Sequence, residues 1–137
     1  MPFLLDTNVV SAARRPERQT AEFRTFLASF DAGNAYLSAV TIMEIKFGIT
    51  RERTRDTAFA DELARWLSDV VLPGFEGHIL PFDLDVALVT GRLPTADKRP
   101  SADAMIAGTA LVHNLDIVTR NTAHFEPLGF SCVDPWR

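Results

Sequence analysis

The sequence predicts an α/β protein, a three-layer α/β/α sandwich built on a parallel central sheet. Three observations lead there. Apolar runs of strand length alternate with segments of helical period, and none of the joints carries a hairpin signal. Strands separated by helices pair in parallel and are covered on both faces. The chain is also the right size for one such layer set: 137 residues, 47% apolar, with ten Phe. A chain of this length buries roughly 65–70% of its unfolded surface, enough for one core and not two. Residues 1–137 are therefore expected to form a single domain.

Taken in order, "FLL" (Phe3 to Leu5) is a short apolar strand. Val9 to Arg15 follow as a short helix that must end before Pro16. Phe23, Phe26, Leu27 and Phe30 recur at i, i+3, i+4 and i+7, the spacing of an amphipathic helix ending near Gly33. Ala35 to Leu37 form the second strand, and Ser38 or Thr41 caps a helix running to about Arg51. Phe59, Leu63, Trp66, Leu67, Val70 and Val71 share one face of the next helix, which stops at Pro73-Gly74. "HILPFD" (His78 to Asp83) is a third strand ending in an acid, followed by helix from Val86 to Leu93. Thr95 to Pro100 is polar and loop-like. Ser101 or Ala102 opens "ADAMIAGTALVHN", a helix whose alanines and Gly108 permit close packing. "DIVT" (Asp116 to Thr119) is a strand, and "FSCV" (Phe130 to Val133) an edge strand.

Composition narrows the function classes. Cys132 is the only cysteine, which excludes a disulfide framework and a cysteine-based metal site and predicts a reducing, cytoplasmic setting. No run approaches the roughly 20 apolar residues that span a bilayer, and the apolar start is too short for a signal-peptide core. The net charge of −4 argues against a simple nucleic-acid coat. It leaves room for an enzyme that gathers acids in one site and bases around it. The bases do cluster, at Arg14 to Arg18, at Arg51 to Arg55, and at Arg92, Lys98 and Arg99. Taken singly, each cluster is better explained as a solvated face or loop.

The acids carry the chemistry. Functional groups on an open parallel sheet gather beyond the carboxyl ends of its strands. Asp6 directly follows the first strand, and Glu44 lies near the start of the helix after the second. Asp103 falls in the first turn of the small-residue helix, and Asn121 two residues after "DIVT". These four are expected to converge on one sheet edge. Crowded carboxylates raise one another's pKa unless a cation neutralises them. Hard oxygen donors with room for water suit Mg²⁺ or Mn²⁺, and such a centre activates water against phosphate esters. Each acid also has a plainer explanation. Asp6 serves equally as a helix cap and Asp103 as an ordinary first-turn acid. Glu44, set among Ile42, Met43, Ile45 and Phe47, lies either on an exposed stripe or in a site.

In order along the chain, "LLDTNVVSA", "LSAVTIMEIKFGI", "SADAMIAGTAL" and "IVTRNTAHFEPLG" resemble the motifs of PIN-domain ribonucleases. The nearest resemblance is to the VapC- and FitB-like toxins of bacterial toxin–antitoxin operons, and it runs from about Phe3 to Gly129. It implies endonucleolytic cleavage of RNA by activated water, dependent on Mg²⁺ or Mn²⁺, with Asp6, Glu44 and Asp103 as metal ligands. Thr7 matches the hydroxyl beside the first acid, and Asn8 is a second supporting group. The fourth acidic position departs from the family pattern, since Asn121 stands where many members carry Asp. An amide oxygen still binds a cation but brings no charge. Asp116 sits at the wrong end of its strand to replace it, more than about 10 Å away at roughly 3.3 Å per residue, whereas Asp83 is a candidate auxiliary acid. Arg120, Arg14 and Arg99 are placed to meet the RNA backbone. The resemblance further implies a homodimer and a small antitoxin that covers the acidic groove, with the stripes Phe23–Phe30 and Phe59–Val71 supplying contacts or else packing on the sheet.

Two other functions are open to the same residues. One is a catalytically weak PIN module that binds RNA or a partner protein, with Asn121 marking a degraded site. The other is a phosphatase- or receiver-like domain with an Asp nucleophile, which ranks last because the phosphatase form wants a second Asp where Asn8 stands. Neither GxGxxG nor a Walker loop is present, which removes nucleotide-binding folds of those types.

Overall fold

Phe3–Leu5 form strand β1, and the rest of the chain is arranged around it. In the computed structural model, which describes residues 2–95 and 98–137, β2 (Ala35–Ser38) and β4 (Asp116–Val118) flank β1. The edges are β3 (Ile79–Leu80) beyond β2 and β5 (Cys132–Val133) beyond β4. Every pairing is parallel, with Leu4 opposite Tyr36 on one side and Ile117 on the other. From β1 the chain steps outward to β2 and β3, then returns to the far side of β1 for β4 and β5. This reversal makes a crevice at the carboxyl ends of β1 and β4, where open α/β sheets place their ligands.

Helices fill the connections. After β1 come α1 (Thr7–Ala13) and α2 (Ala21–Ser29), and after β2 come α3 (Ala39–Glu52), α4 (Thr57–Trp66) and α5 (Leu72–Gly74). A π-helical turn, Leu67–Val71, joins the last two. Between β3 and β4 lie α6 (Leu84–Thr90) and α7 (Ala102–His113), and α8 (Thr122–Phe125) precedes β5. Side-chain caps set several starts: Ser38 accepts from Val40 N–H at 3.0 Å and Ser101 from Ala104 N–H at 3.2 Å. Such a cap is worth about 1 kcal/mol over alanine.

The alternation of β1 divides the core in two. Leu5 joins Val9, Phe23, Leu37, Ile45, Ile49 and Leu67 on one face of the sheet, and Leu4 joins Val40, Ile106, Ala110, Ile117 and Phe125 on the other. On the second face α6 and α7 pack closely because Gly108 lacks a side chain. A Cβ there would collide with Thr90 Oγ1.

Some expectations need correction. The first helix begins at Thr7 and not at Val9, because the Asp6 carboxylate accepts the Thr7 N–H and starts the turn earlier. The third strand is only Ile79–Leu80, since Pro81 has no N–H with which to continue the ladder. Asp83 therefore does not end a strand; it caps α6 through Val86 N–H at 3.1 Å. The stripe Phe23–Phe30 and the positions Leu67 and Val71 mainly pack on the sheet. Between these two stripes a small apolar cleft of about 120 Å³ stays open, lined by Leu27, Phe30, Trp66 and Val70. Among the described residues no helix is long and apolar enough to cross a membrane.

Candidate active site

Asp6 leaves β1 at the crevice and is 3% exposed. Three donors hold its carboxylate. Thr7 N–H reaches Oδ1 at 2.8 Å, while Thr119 Oγ1 and Asn8 Nδ2 reach Oδ2 at 2.7 and 3.2 Å. Burial pushes the Asp6 carboxyl above its ordinary pKa, the bonds from Thr119 and Thr7 pull it back in part, and the charges of Asp103 and Glu44 push it up again. The charges of Asp103 and Glu44 therefore reach Asp6.

Each of the other acids is also held in place. Glu44, on α3, accepts from the Thr7 hydroxyl at 2.6 Å. The fully buried Thr41 hydroxyl lies 3.0 Å from Thr7 Oγ1. With its single proton given to Glu44, Thr7 can only accept from Thr41. Asp103, on α7, has its Oδ2 2.9 Å from His124 Nδ1 on α8. Thr7 thus links α1 to α3, and His124 links α8 to α7.

The remaining candidates separate. Asn8 joins two strand ends, since its amide also reaches Thr119 Oγ1 at 3.2 Å and its oxygen accepts Arg120 N–H at 3.3 Å. Asn121 sits at the start of α8 with its backbone N–H on Thr119 Oγ1 at 2.9 Å, and its side chain makes no capping bond. Arg120 lays its guanidinium over Trp136, 4.0 Å from the ring centroid. Arg14 is directed to α4, where Glu62 is 3.4 Å away and the Phe59 ring lies beneath it. Arg99 is exposed and shares a recess with Asp103 and His124. Asp83 caps α6 beyond the end of β3, which lies two places from β1, roughly 10 Å at about 4.8 Å per strand. Asp116 pairs with Phe3, at the end of β1 away from the crevice.

Comparison with known proteins gives this geometry a family. A model of the PIN domain matches residues 3–129. The chain belongs to the PIN-domain family. Within it, VapC ribonuclease Y4jK of Sinorhizobium fredii is 36% identical, over 97% of this chain and 96% of that protein. Toxin FitB of Neisseria gonorrhoeae is 33% identical over 97% of each. The crystal structure of FitAcB from Neisseria gonorrhoeae superposes with a TM-score of 0.85 at 34% identity, covering 98% of this chain and 99% of that one. The three-layer architecture read from the sequence is thus the PIN fold, and the parallel order around β1 is its frame.

Sequence reasoning missed three groups in this PIN site: Thr119, Thr41 and His124. Thr119 and Thr41 stand inside the quoted stretches "TRN" and "TIME", so the motifs marked them without giving them a task. The nearness of His124 to Asp103 depends on how α8 meets α7, and no spacing along the chain expresses that.

The donor set fits a hard divalent cation. Among the described residues no three His, Cys, Asp or Glu side chains are arranged to enclose a metal ion by themselves. A closed cage is not what Mg²⁺ needs, since it keeps several waters and binds through one or two carboxylates. The observation that favours a cation is Asp6, a carboxylate raised first by burial and further by the charges of Asp103 and Glu44, a cost that a positive charge would relieve.

Proposed function

We propose that this PIN-domain protein is a Mg²⁺- or Mn²⁺-dependent endoribonuclease and the toxin of a toxin–antitoxin pair, hydrolysing RNA phosphodiester bonds. The observation that carries the chemistry is the cluster of Asp6, Glu44 and Asp103 at the sheet's switch point, each fixed by a hydrogen bond from a different element. Relatives named as a VapC ribonuclease and a FitB toxin, matched over nearly their whole length, support the same activity.

Asp6, Asp103 and Glu44 would hold the cation. When bound it would supply Lewis acidity toward the phosphate and favour deprotonation of water. The chain's own residues do the rest. The three donors on Asp6 fix the orientation of its carboxylate and leave one lone-pair site, on Oδ1, free of the chain's own donors. The Thr7 hydroxyl fixes Glu44 in the same way. A carboxylate so placed is the acceptor for a proton from the attacking water. Asn121 offers an amide oxygen and no charge where many family members carry an acid, so the site holds one negative charge fewer.

The partners follow from the surface. RNA is the substrate. The apolar cleft between Phe30 and Val70 would seat apolar side chains of a small antitoxin. Met43, Phe47, Leu84 and Leu88 are exposed on α3 and α6, both of which pack against α7, and would pair two copies as a homodimer. Light scattering is expected to show a dimer that Phe47→Glu converts to monomer; an unchanged mass would remove this face from the assembly.

The activity is tested with purified protein, single-stranded RNA and either Mg²⁺ or Mn²⁺. Cleavage is expected to require the cation and to fall about 10²–10⁴-fold in Asp6→Asn, the range for losing a positioned proton acceptor. RNA binding without cleavage under either metal would instead identify a non-catalytic PIN module.

A further inference from the structure

The acidic cluster has two sides, and they differ in charge. On the Glu44 side a cleft of about 280 Å³ is lined by Thr7, Glu44, Gly48, Glu52 and Trp66, with two acids and no base. On the Asp103 side lies a recess of about 390 Å³, within the range of about 300–1,000 Å³ typical of small-ligand sites. Lys98, Arg99 and His124 line it beside Asp103, with Pro94 and Leu128 as apolar wall.

The two cations of this recess differ from the bases that carboxylates already pair. Arg14, Arg15, Arg53, Arg55 and Arg137 each have a carboxylate within salt-bridge distance, whereas Lys98 and Arg99 have none among the described residues. The Lys98 backbone is tied to Thr95. Lys98 N–H donates to Thr95 O at 3.1 Å, and Thr95 Oγ1 donates to Lys98 O at 2.7 Å. His124 is oriented by Asp103. Two solvent-facing cations, an apolar wall, and an edge shared with a catalytic acid match the parts of a nucleotide: its phosphate, its ribose and base, and its distance from the cleaved bond. In a chain of net charge −4 such a local cationic recess also decides where a polyanion lands.

We propose that this recess is the seat of one nucleotide of the RNA strand flanking the cleaved bond. Lys98 and Arg99 hold its phosphate, Pro94 and Leu128 lie against its ribose or base, and the strand continues away from the Glu44–Glu52 side. The inference rests on the ribonuclease reading for its ligand and extends it by giving the strand a one-sided path.

The test separates binding from cleavage. A fluorescein-labelled RNA decamer is titrated with the full chain in EDTA across a salt series, and cleavage is measured separately with Mg²⁺ or Mn²⁺. The pair Lys98→Ala/Arg99→Ala is expected to weaken binding and to flatten the slope of log affinity against log salt by about 0.7 to 1.4, the loss of one or two single-strand phosphate contacts. Lys98→Arg is expected to keep the slope, and so is the control Arg55→Ala at an exposed arginine outside the recess. A slope unchanged in the double variant while the wild type still cleaves would overturn the subsite and leave the ribonuclease reading intact. The predicted flattening in a wild type that never cleaves would support the subsite and sink the catalytic reading. A wild type that binds no RNA overturns the subsite.

Discussion

Thr119 is the residue on which the site turns, although no acid-counting would select it. Its hydroxyl donates to Asp6 and accepts from Asn8 and from the Asn121 backbone, so one side chain joins the ends of β1 and β4. Thr119→Val keeps the shape and removes all three bonds. Activity is expected to fall about 10–100-fold, as when a group orienting a metal ligand is lost, while circular dichroism stays unchanged; full activity would remove Thr119 from the positioning network. Asp6 itself makes a pH prediction. Its folded pKa is raised, so the folded chain binds this proton more tightly than the unfolded chain, and stability falls as pH rises from the ordinary carboxylate value through the raised one. In chelator, Asp6→Asn is therefore expected to melt higher than wild type at pH 7, with the difference shrinking as pH falls toward 4. A pH-independent difference would show that the charge on Asp6 costs the fold nothing. Asp6 and Glu44 stood out as candidates because each interrupts an apolar pattern, and Asp103 because it falls in the first turn of the small-residue helix. Thr119 and His124 were not, because a polar residue at the end of a strand or in a short helix has many local uses, and only the tertiary register selects one.

The helices and strands were legible in kind and order, and their limits were set by chemistry that periodicity does not carry. Ser38, Ser101 and Asp83 cap helices as their types allow. The third strand ended three residues before its expected last residue, Asp83, because of Pro81. The π-helical turn Leu67–Val71 had no signal at all, since its side chains still present one apolar face. Gly108 is the element-scale feature with the clearest consequence. "Small-residue helix" was readable, but the partner that requires the glycine, Thr90 on α6, was not. Gly108→Ala would normally favour a helix by up to about 1 kcal/mol. Here the collision is expected to reverse the sign and cost about 1–3 kcal/mol, the usual price of overpacking. Chemical denaturation measures it, and a stabilised variant would show that α6 and α7 can move apart freely.

At the scale of the whole molecule, the strand order turns scattered residues into one site. Because the sheet reverses at β1, the loops after β1 and β4 open side by side, and α3 and α7 bring Glu44 and Asp103 to the same crevice. The charge is arranged as the small net value hides: acids at the switch point, Lys98 and Arg99 on one flank, Glu52 on the other. Such a layout would hold a cation at its centre and would admit a polyanion from one side. The most direct measurement is anomalous diffraction from crystals soaked in Mn²⁺. One principal anomalous peak is expected in the crevice, touching Asp6 and Asp103 and absent in Asp6→Asn. A crevice without a peak at saturating Mn²⁺, or a peak that persists in Asp6→Asn, would contradict it.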